Sequence, residues 1–454
     1  MRFASVLLFC GLVTLALSAA PALADDLYSP GVGARALSMA GAFVGLADDY
    51  SAVHWNPAGI TNLTGVEMTV SLADAIPMTS YEGYVDGRGW EAWYLDIQAT
   101  SDIRHAFAPG FFAYFDGGPL RGVFDKIGLC GYTLCDAGVL WSADDFYDDF
   151  VEEYEIDGPE DFRYVIGEPP DHESHIRAYA LSPVVAKEIV PGLSVGVAAH
   201  AVYGHFELVD GGWTHELVEG GLEDTSYIYS YETQDDATGW GYGATFGLLY
   251  RATENVSVGA SLRTPITIPF EGTLRYVAAD EEGTTTTQYT EDFDWTFPMW
   301  AAAGFAYRDF LFDDMTLTGD VHWTTWSEID SIQRSGEIPE EVADLLYSRL
   351  NWEDTIQLRL GIDYRYSRSL SFRLGYRNSP SPQPDEDYDF LLPLGSHDAA
   401  SLGMAYRSDR WTAEFGVEYL VGKAREVSGT HHTNYMGTNT HDAVVPSFSF
   451  TYKF

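Results

Sequence analysis

The sequence predicts an all-β protein: a fourteen-stranded antiparallel transmembrane β-barrel whose lumen holds a hatch, or plug, of short helical turns. Three observations predict it. Apolar and polar residues alternate with period two over segments of about ten residues, connections are alternately short and long, and an N-terminal stretch of small residues shows no alternation. A chain with 15% aromatics, 44 glycines and a formal net charge of −43 suits strands with one greasy and one polar face.

Residues 1–24 read as a secretory signal peptide. Arg2 supplies the positive start, Val6 to Leu17 are almost wholly apolar, and Ala22-Leu23-Ala24 sets cleavage between Ala24 and Asp25. No later run reaches 18 consecutive apolar residues, so spanning helices are excluded and membrane crossing falls to strands. The acidity argues against nucleic acid as a partner and fits solvated loops, densest around Asp144 to Asp149. Cys130 and Cys135 lie five residues apart, which in an unbroken strand puts them on opposite faces as two free, buried thiols.

Residues 25–62 read as the hatch. Gly31 to Gly45 (GVGARALSMAGAFVG) is crowded with small residues that permit close packing against a surrounding wall. Further on, Asn56-Pro57-Ala58-Gly59 reads as one capped turn, with Asn56 as N-cap and Pro57 in the first helical position.

Residues 63–454 read as the barrel. In Thr355 to Tyr366, Ile356, Leu358, Leu360 and Ile362 share one face, and Thr355, Gln357, Arg359 and Gly361 the other. The final strand sets Phe448, Phe450, Tyr452 and Phe454 against Ser447, Ser449, Thr451 and Lys453. Strand centres fall near residues 69, 111, 131, 182, 200, 245, 263, 301, 320, 360, 373, 402, 416 and 449. Short turns near 117–119, 191–192, 254–255, 313–314, 367–368 and 408–409 alternate with long segments, among them 207–237 and 276–292. That asymmetry makes the long segments extracellular and puts both termini in the periplasm. A soluble β-sandwich also alternates, but it does not set Arg and Asp beside Gly along one face, and an aromatic terminal strand at Phe454 suits delivery to the barrel assembly machinery. The expected setting is therefore the outer membrane, among lipid and lipopolysaccharide, as a monomer.

Enzyme chemistry finds little support. His172-Glu173-Ser174-His175 is one residue short of the H-E-x-x-H zinc spacing, and His431, His432 and His441 fit a solvated loop. His200 and His205 sit at opposite strand parity, and no G-x-S-x-G element occurs. No metal or other cofactor is expected.

The chain resembles the FadL-type outer-membrane transporters of long-chain fatty acids and other hydrophobic compounds, including TodX-like aromatic hydrocarbon channels. The resemblance rests on Gly31-x-Gly33-Ala34-Arg35-Ala36, Ala47-Asp48-Asp49 and Asn56-Pro57-Ala58-Gly59, with the blocks Leu317 to Asp330 and Trp352 to Pro393. It implies a hatch that gates the lumen through Gly33, Arg35, Asp48, Asp49, Asn56, Pro57, Ala58 and Gly59. It also implies a docking groove among the outer loops, placed by position at Trp213, Leu217, Tyr227, Ile228 and Tyr229. An inward kink of the third strand would open a passage, with Gly128 and Gly131 as the residues permitting it. The alternative reading is an outer-membrane adhesin or receptor acting through its long acidic loops.

Overall fold

The computed structural model describes residues 31–454, apart from 87–93, 102–104, 121, 143–162, 167–170, 219–224, 281–282, 340–341, 343–347, 390, 393 and 428–434. The expected signal peptide and its cleavage site, Ala24 and Asp25, lie outside the described residues.

Fourteen antiparallel strands close into a barrel. They are β1 (Glu67–Asp86), β2 (Ala106–Asp116), β3 (Lys126–Trp141), β4 (His172–Val190), β5 (Leu193–Val218), β6 (Thr225–Arg251) and β7 (Val256–Arg263 with Ile266–Asp280). The circuit continues through β8 (Gly283–Phe297 with Trp300–Arg308), β9 (Met315–Thr324), β10 (Thr355–Arg365) and β11 (Leu370–Ser379). It ends with β12 (His397–Arg407), β13 (Trp411–Gly422) and β14 (Tyr435–Lys453). Closure comes from β1 against β14, in register from Glu67↔Lys453 to Val85↔Tyr435. A closed ring leaves no sheet edge, which is what allows strands to cross hydrocarbon.

The alternation in the sequence becomes the two faces of the wall. On β10, Ile356, Leu358 and Leu360 are exposed on the outside, whereas Thr355, Gln357 and Arg359 are buried in the lumen. On β6, Trp240, Tyr242, Phe246, Leu248 and Tyr250 all face outward and are exposed. Ten residues of strand, tilted by about 40°, span about 25 Å, the height of an apolar membrane band. Beyond Trp240 the outward positions turn polar, with Thr238 and Asp236 exposed.

Two expectations are corrected here. The segments 207–237 and 276–292 are not loops over most of their length, because β5 and β6 stay paired up to Val218↔Thr225, and β7 and β8 up to Asp280↔Gly283. Runs rich in Thr and Tyr have high strand propensity, and it prevails where polarity suggested a loop. The second correction concerns the cysteines. The register of β3 against β4 shifts between Thr133 and Cys135, and that extra residue reverses the parity beyond it. Cys130 and Cys135 are therefore both free and buried in the same lumenal core cluster, rather than on opposite faces.

An outward Leu360→Arg substitution should destabilise the barrel in a bilayer by about 2–4 kcal/mol, because it sets a charge near the middle of the apolar band. Denaturant titration of the protein folded into lipid vesicles measures this.

Candidate functional site

The lumen is filled by the N-terminal segment, whose residues from Val32 to Ile60 are almost all buried. Two short helices, α1 (Ala34–Leu37) and α2 (Ala52–Trp55), and a 3-10 turn over Pro57–Asn62 shape it. Gly33 enters α1 at φ 99°, and a Cβ there would press on Ser51. Asn56 does three jobs with one amide. Its Oδ1 accepts from Ala58 N (3.2 Å), while Nδ2 donates to Val44 O (2.9 Å) and across to Leu248 O of the wall (3.0 Å). Pro57 opens the 3-10 turn where no N–H is needed. Gly59 lies against Ala47, where a side chain would collide with the backbone.

The wall meets this segment with glycines. A Cβ at Gly196 would strike Pro57 and Ala58, one at Gly247 would strike Asn56, and one at Gly259 would strike Val44. Gly375 makes the same allowance for Met39 and Ala40, and Gly403 for Ser38. Glycine in a strand interior marks close approach of another backbone, and here that backbone is the plug.

Charge completes the seating. Arg35 donates to Asp48 (2.6 Å) and to Asp363 of β10 (3.0 Å); Arg373 of β11 joins Asp363 (3.3 Å) to Glu414 of β13 (2.7 Å). Burial disfavours the Arg35 cation, but Asp48 and Asp363 outweigh it and hold the guanidinium more basic than usual. Asp320 of β9 accepts from Val44 N at 2.7 Å. Burial pushes the Asp49 carboxyl up to about 6 against the pull of Arg35, with Glu414 raising it further. Ser51 donates to Asp49 from both its N (2.8 Å) and its Oγ (2.7 Å). His54 is held neutral by burial and then by Arg263, which lowers its basicity.

Beside the plug the wall is incomplete. Pairing of β2 with β3 runs from Asp116↔Lys126 to Gly110↔Tyr132 and stops, although β2 remains paired with β1 through Ala75↔Ala106 and β3 with β4 through Trp141↔His172. An apolar recess of about 440 Å³ opens there, lined by Pro109, Gly110, Gly131, Tyr132, Tyr179 and Trp240 among others. A small void of about 10 Å³ behind it touches both Tyr132 and the plug residues Gly31 to Ala34.

Gly131 lines the recess and faces open space, whereas Gly128 packs under Tyr114. The register shift falls at neither glycine but two to four residues beyond Gly131. The backbones of Trp213, Leu217, Tyr227, Ile228 and Tyr229 belong to the β5–β6 hairpin, and their side chains lie outside the described residues. Residues missed in the sequence are Pro109, Gly110, Tyr132, Arg263 and Asp320. The glycines scattered along the polar faces of the strands were the available signal.

Toward the long-loop end the lumen is aromatic. Phe206, Phe270, Phe293, Trp295, Trp326 and Trp352 pack in one buried cluster. Arg334 reaches over the Phe293 ring (4.1 Å) to pair with Asp235 (2.7 Å) and Glu291 (3.1 Å).

A closed fourteen-stranded barrel with a greasy belt and an internal plug defines an outer-membrane β-barrel. Residues 166–454 match the family model described as outer membrane protein transport protein (OMPP1/FadL/TodX), and the chain belongs to that family. It is 21% identical over 236 residues to the long-chain fatty acid transport protein of Escherichia coli O6:H1, covering 47% of this chain and 50% of that protein. It is also 21% identical over 257 residues to outer membrane protein P1 of Haemophilus influenzae, covering 52% and 54%. The chain thus spans about half the length of the curated relatives it matches. Its fold is similar to that of a Pseudomonas aeruginosa FadL homologue, with TM-score 0.75 at 15% identity over 95% of this chain and 100% of the other. For the P. putida toluene transporter TodX the TM-score is 0.69 at 15% identity, over 94% and 99%. At these identities the likeness establishes the fold. The chain is an outer-membrane protein.

Gly259→Val should unseat the plug while the barrel still closes, raising small-ion conductance in planar bilayers. A second expectation concerns pH. Because Asp49 is more basic in the seated plug than in free chain, its contribution favours seating below about pH 4 and is lost as pH rises through about 6. Protease accessibility of the plug should therefore increase over that range, and Asp49→Asn should flatten the dependence.

Proposed function

We propose that this protein is a passive, ligand-gated channel that takes up hydrophobic compounds across the outer membrane, of the kind named for its relatives: long-chain fatty acids or monoaromatic hydrocarbons. The observation that carries the reading is the break in β2–β3 pairing directly beside the plug. An open aqueous pore offers an apolar solute nothing, since transfer out of water is worth about 0.8 kcal/mol for each methylene buried. A route of apolar pockets supplies that free energy, and partition into the bilayer draws the solute onward without any other source.

On this reading the ligand docks first on the β5–β6 hairpin around Trp213, Leu217, Tyr227, Ile228 and Tyr229. It then enters the aromatic cluster around Trp295 and Trp352. The plug carries the gate through Gly33, Arg35, Asp48, Asp49 and the Asn56–Gly59 turn. A ligand that binds better to the shifted plug than to the seated one moves the equilibrium toward the shifted state. The solute then leaves sideways past Tyr132 and Gly131 into the membrane. The same reading has a monomer among lipid and lipopolysaccharide, delivered to the barrel assembly machinery through Phe454, whose side chain is exposed.

A Cβ at Gly131 meets nothing within 4 Å, so the ring of Gly131→Phe should extend into the recess that Gly131 lines. Uptake of a labelled hydrocarbon should fall by about tenfold or more, equivalent to about 1.4 kcal/mol on the passage. Undiminished uptake by this folded variant would refute the lateral route.

A further inference from the structure

We propose that the strap 325–339 is a pH-sensitive lid over the mouth of the lumen, latched by Arg334 between Asp235 and Glu291. The inference rests on the transport reading above and names a regulation of its entrance.

The strap follows β9 and has two anchorages. Trp326, Ile329 and Ile332 sink into the buried aromatic cluster. Further on, Ser335 and Gly336 pair with Asp292 and Glu291 of β8, and Glu337 N donates to Thr290 O at 3.0 Å. Between these anchorages Arg334 is turned inward. Its Nη2 lies 2.7 Å from Asp235 Oδ2 of β6, and its Nη1 donates to Glu291 Oε2 at 3.1 Å. Phe293 and Phe206 flank the guanidinium, with ring centroids 4.1 and 5.2 Å away.

The latch is unbalanced in charge. The side chains of Arg334, Asp235 and Glu291 are 3%, 0% and 0% exposed, and among the described residues no second cation pairs with either carboxylate. Asp235 Oδ1 and Glu291 Oε1 have no hydrogen-bond partner. With both carboxylates ionised, one negative charge is left uncompensated and out of water, which is costly. A single proton on either removes it. The surroundings do not supply the missing cation. Asp210 of β5, paired with His172 of β4 at 2.9 Å, and Asp292 of β8 add negative potential, while β7 presents the Phe270 ring, stacked 5.1 Å from that of Phe293. Burial accordingly pushes the Asp235 carboxyl up to about 6 and the Glu291 carboxyl up to about 7, against the pull of Arg334.

Both carboxyls lie beyond the apolar band, since their outward neighbours Asp236 and Asp292 are exposed. The medium on the long-loop side therefore sets their protonation. Because both are more basic in the seated strap than in free chain, their contribution favours seating below about pH 4 and is lost as pH rises through about 6 to 7. A strap that lifts takes Arg334 away from Phe206 and Phe293, which belong to the cluster that receives the ligand on the transport reading. The mouth is thus closed in acid and opens toward neutrality.

The test places a nitroxide spin label on Gln333→Cys, an exposed strap position, in the full-length protein in lipid vesicles, where Cys130 and Cys135 stay buried and unlabelled. The ratio of mobile to ordered label should rise about tenfold from pH 5 to pH 8. Glu291→Gln, and independently Asp235→Asn, should keep the label ordered at both pH values, whereas Arg334→Gln should leave it mobile at both. Heat-modifiable gel migration confirms that each variant is folded. A spectrum that does not change between pH 5 and pH 8, or a full pH response kept in both Glu291→Gln and Asp235→Asn, overturns the proposal. Uptake of radiolabelled toluene by cells producing the protein reads transport separately. Uptake with a strap that stays ordered at both pH values overturns the lid and leaves the transport reading standing. A strap that responds to pH as expected, without uptake at either pH, supports the lid and overturns the transport reading.

Discussion

Backbone amides in hydrocarbon have no water to bond, and the rest of the structure answers to that constraint. It demands a closed ring, and β1 meeting β14 supplies one. It also makes any interruption of the wall costly. The break between β2 and β3 falls where Pro109 brings no N–H to the unpaired edge, and where Thr133 Oγ1 donates to Pro109 O at 3.4 Å. Plug residues lie directly behind it. At Pro109 itself the break leaves no N–H without a partner, and its carbonyl accepts a bond.

The plug meets a related demand from inside. A polar lumen of this width would otherwise fill with water. The plug instead approaches the strands so closely that glycine is required at Gly196, Gly247, Gly259 and Gly375. Backbone-to-wall bonds such as Val44 N to Asp320 and Asn56 Nδ2 to Leu248 O then fix its register. Buried ion pairs contribute less to net stability than to specificity, since desolvation offsets much of their attraction. The chain Asp48–Arg35–Asp363–Arg373–Glu414 fits that role: it permits one seating of α1 and penalises any displacement that strands a charge.

Much of the barrel was legible in the sequence because its cause is local. One face meets lipid and the other meets the lumen, so residues such as Ile356 and Gln357 must alternate, and all fourteen strand centres follow. The register shift in β3 was not legible. It has no Gly or Pro at its position, being set by how β3 accommodates β4, and so the face of Cys135 was misassigned. The hairpin character of 207–237 was hidden by polarity, which marks solvent exposure rather than the absence of strand. In the plug, Gly33 and the Asn56–Pro57 turn declare themselves through local backbone needs. The plug's partners on the wall, Asp363 for Arg35, Asp320 for Val44 and Gly259 beside Asn56, lie hundreds of residues away and are brought in only by barrel closure.

Two adjacent residues at the C-terminal end of α2 tie the plug to its surroundings. His54 touches Arg263 through its carbonyl and Tyr132 through its ring. Trp55 lies under Arg359 and donates from Nε1 to Val32 O at 2.9 Å. A four-residue helix has little intrinsic stability, because nucleation is not repaid over one turn. Its shape is therefore held by what surrounds it. On the proposed gating, an element maintained by external contacts, and touching both the polar centre of the lumen and the weak seam of the wall, changes state when either contact is replaced, so that seating and opening are two packings of one short segment and not an unfolding of the barrel.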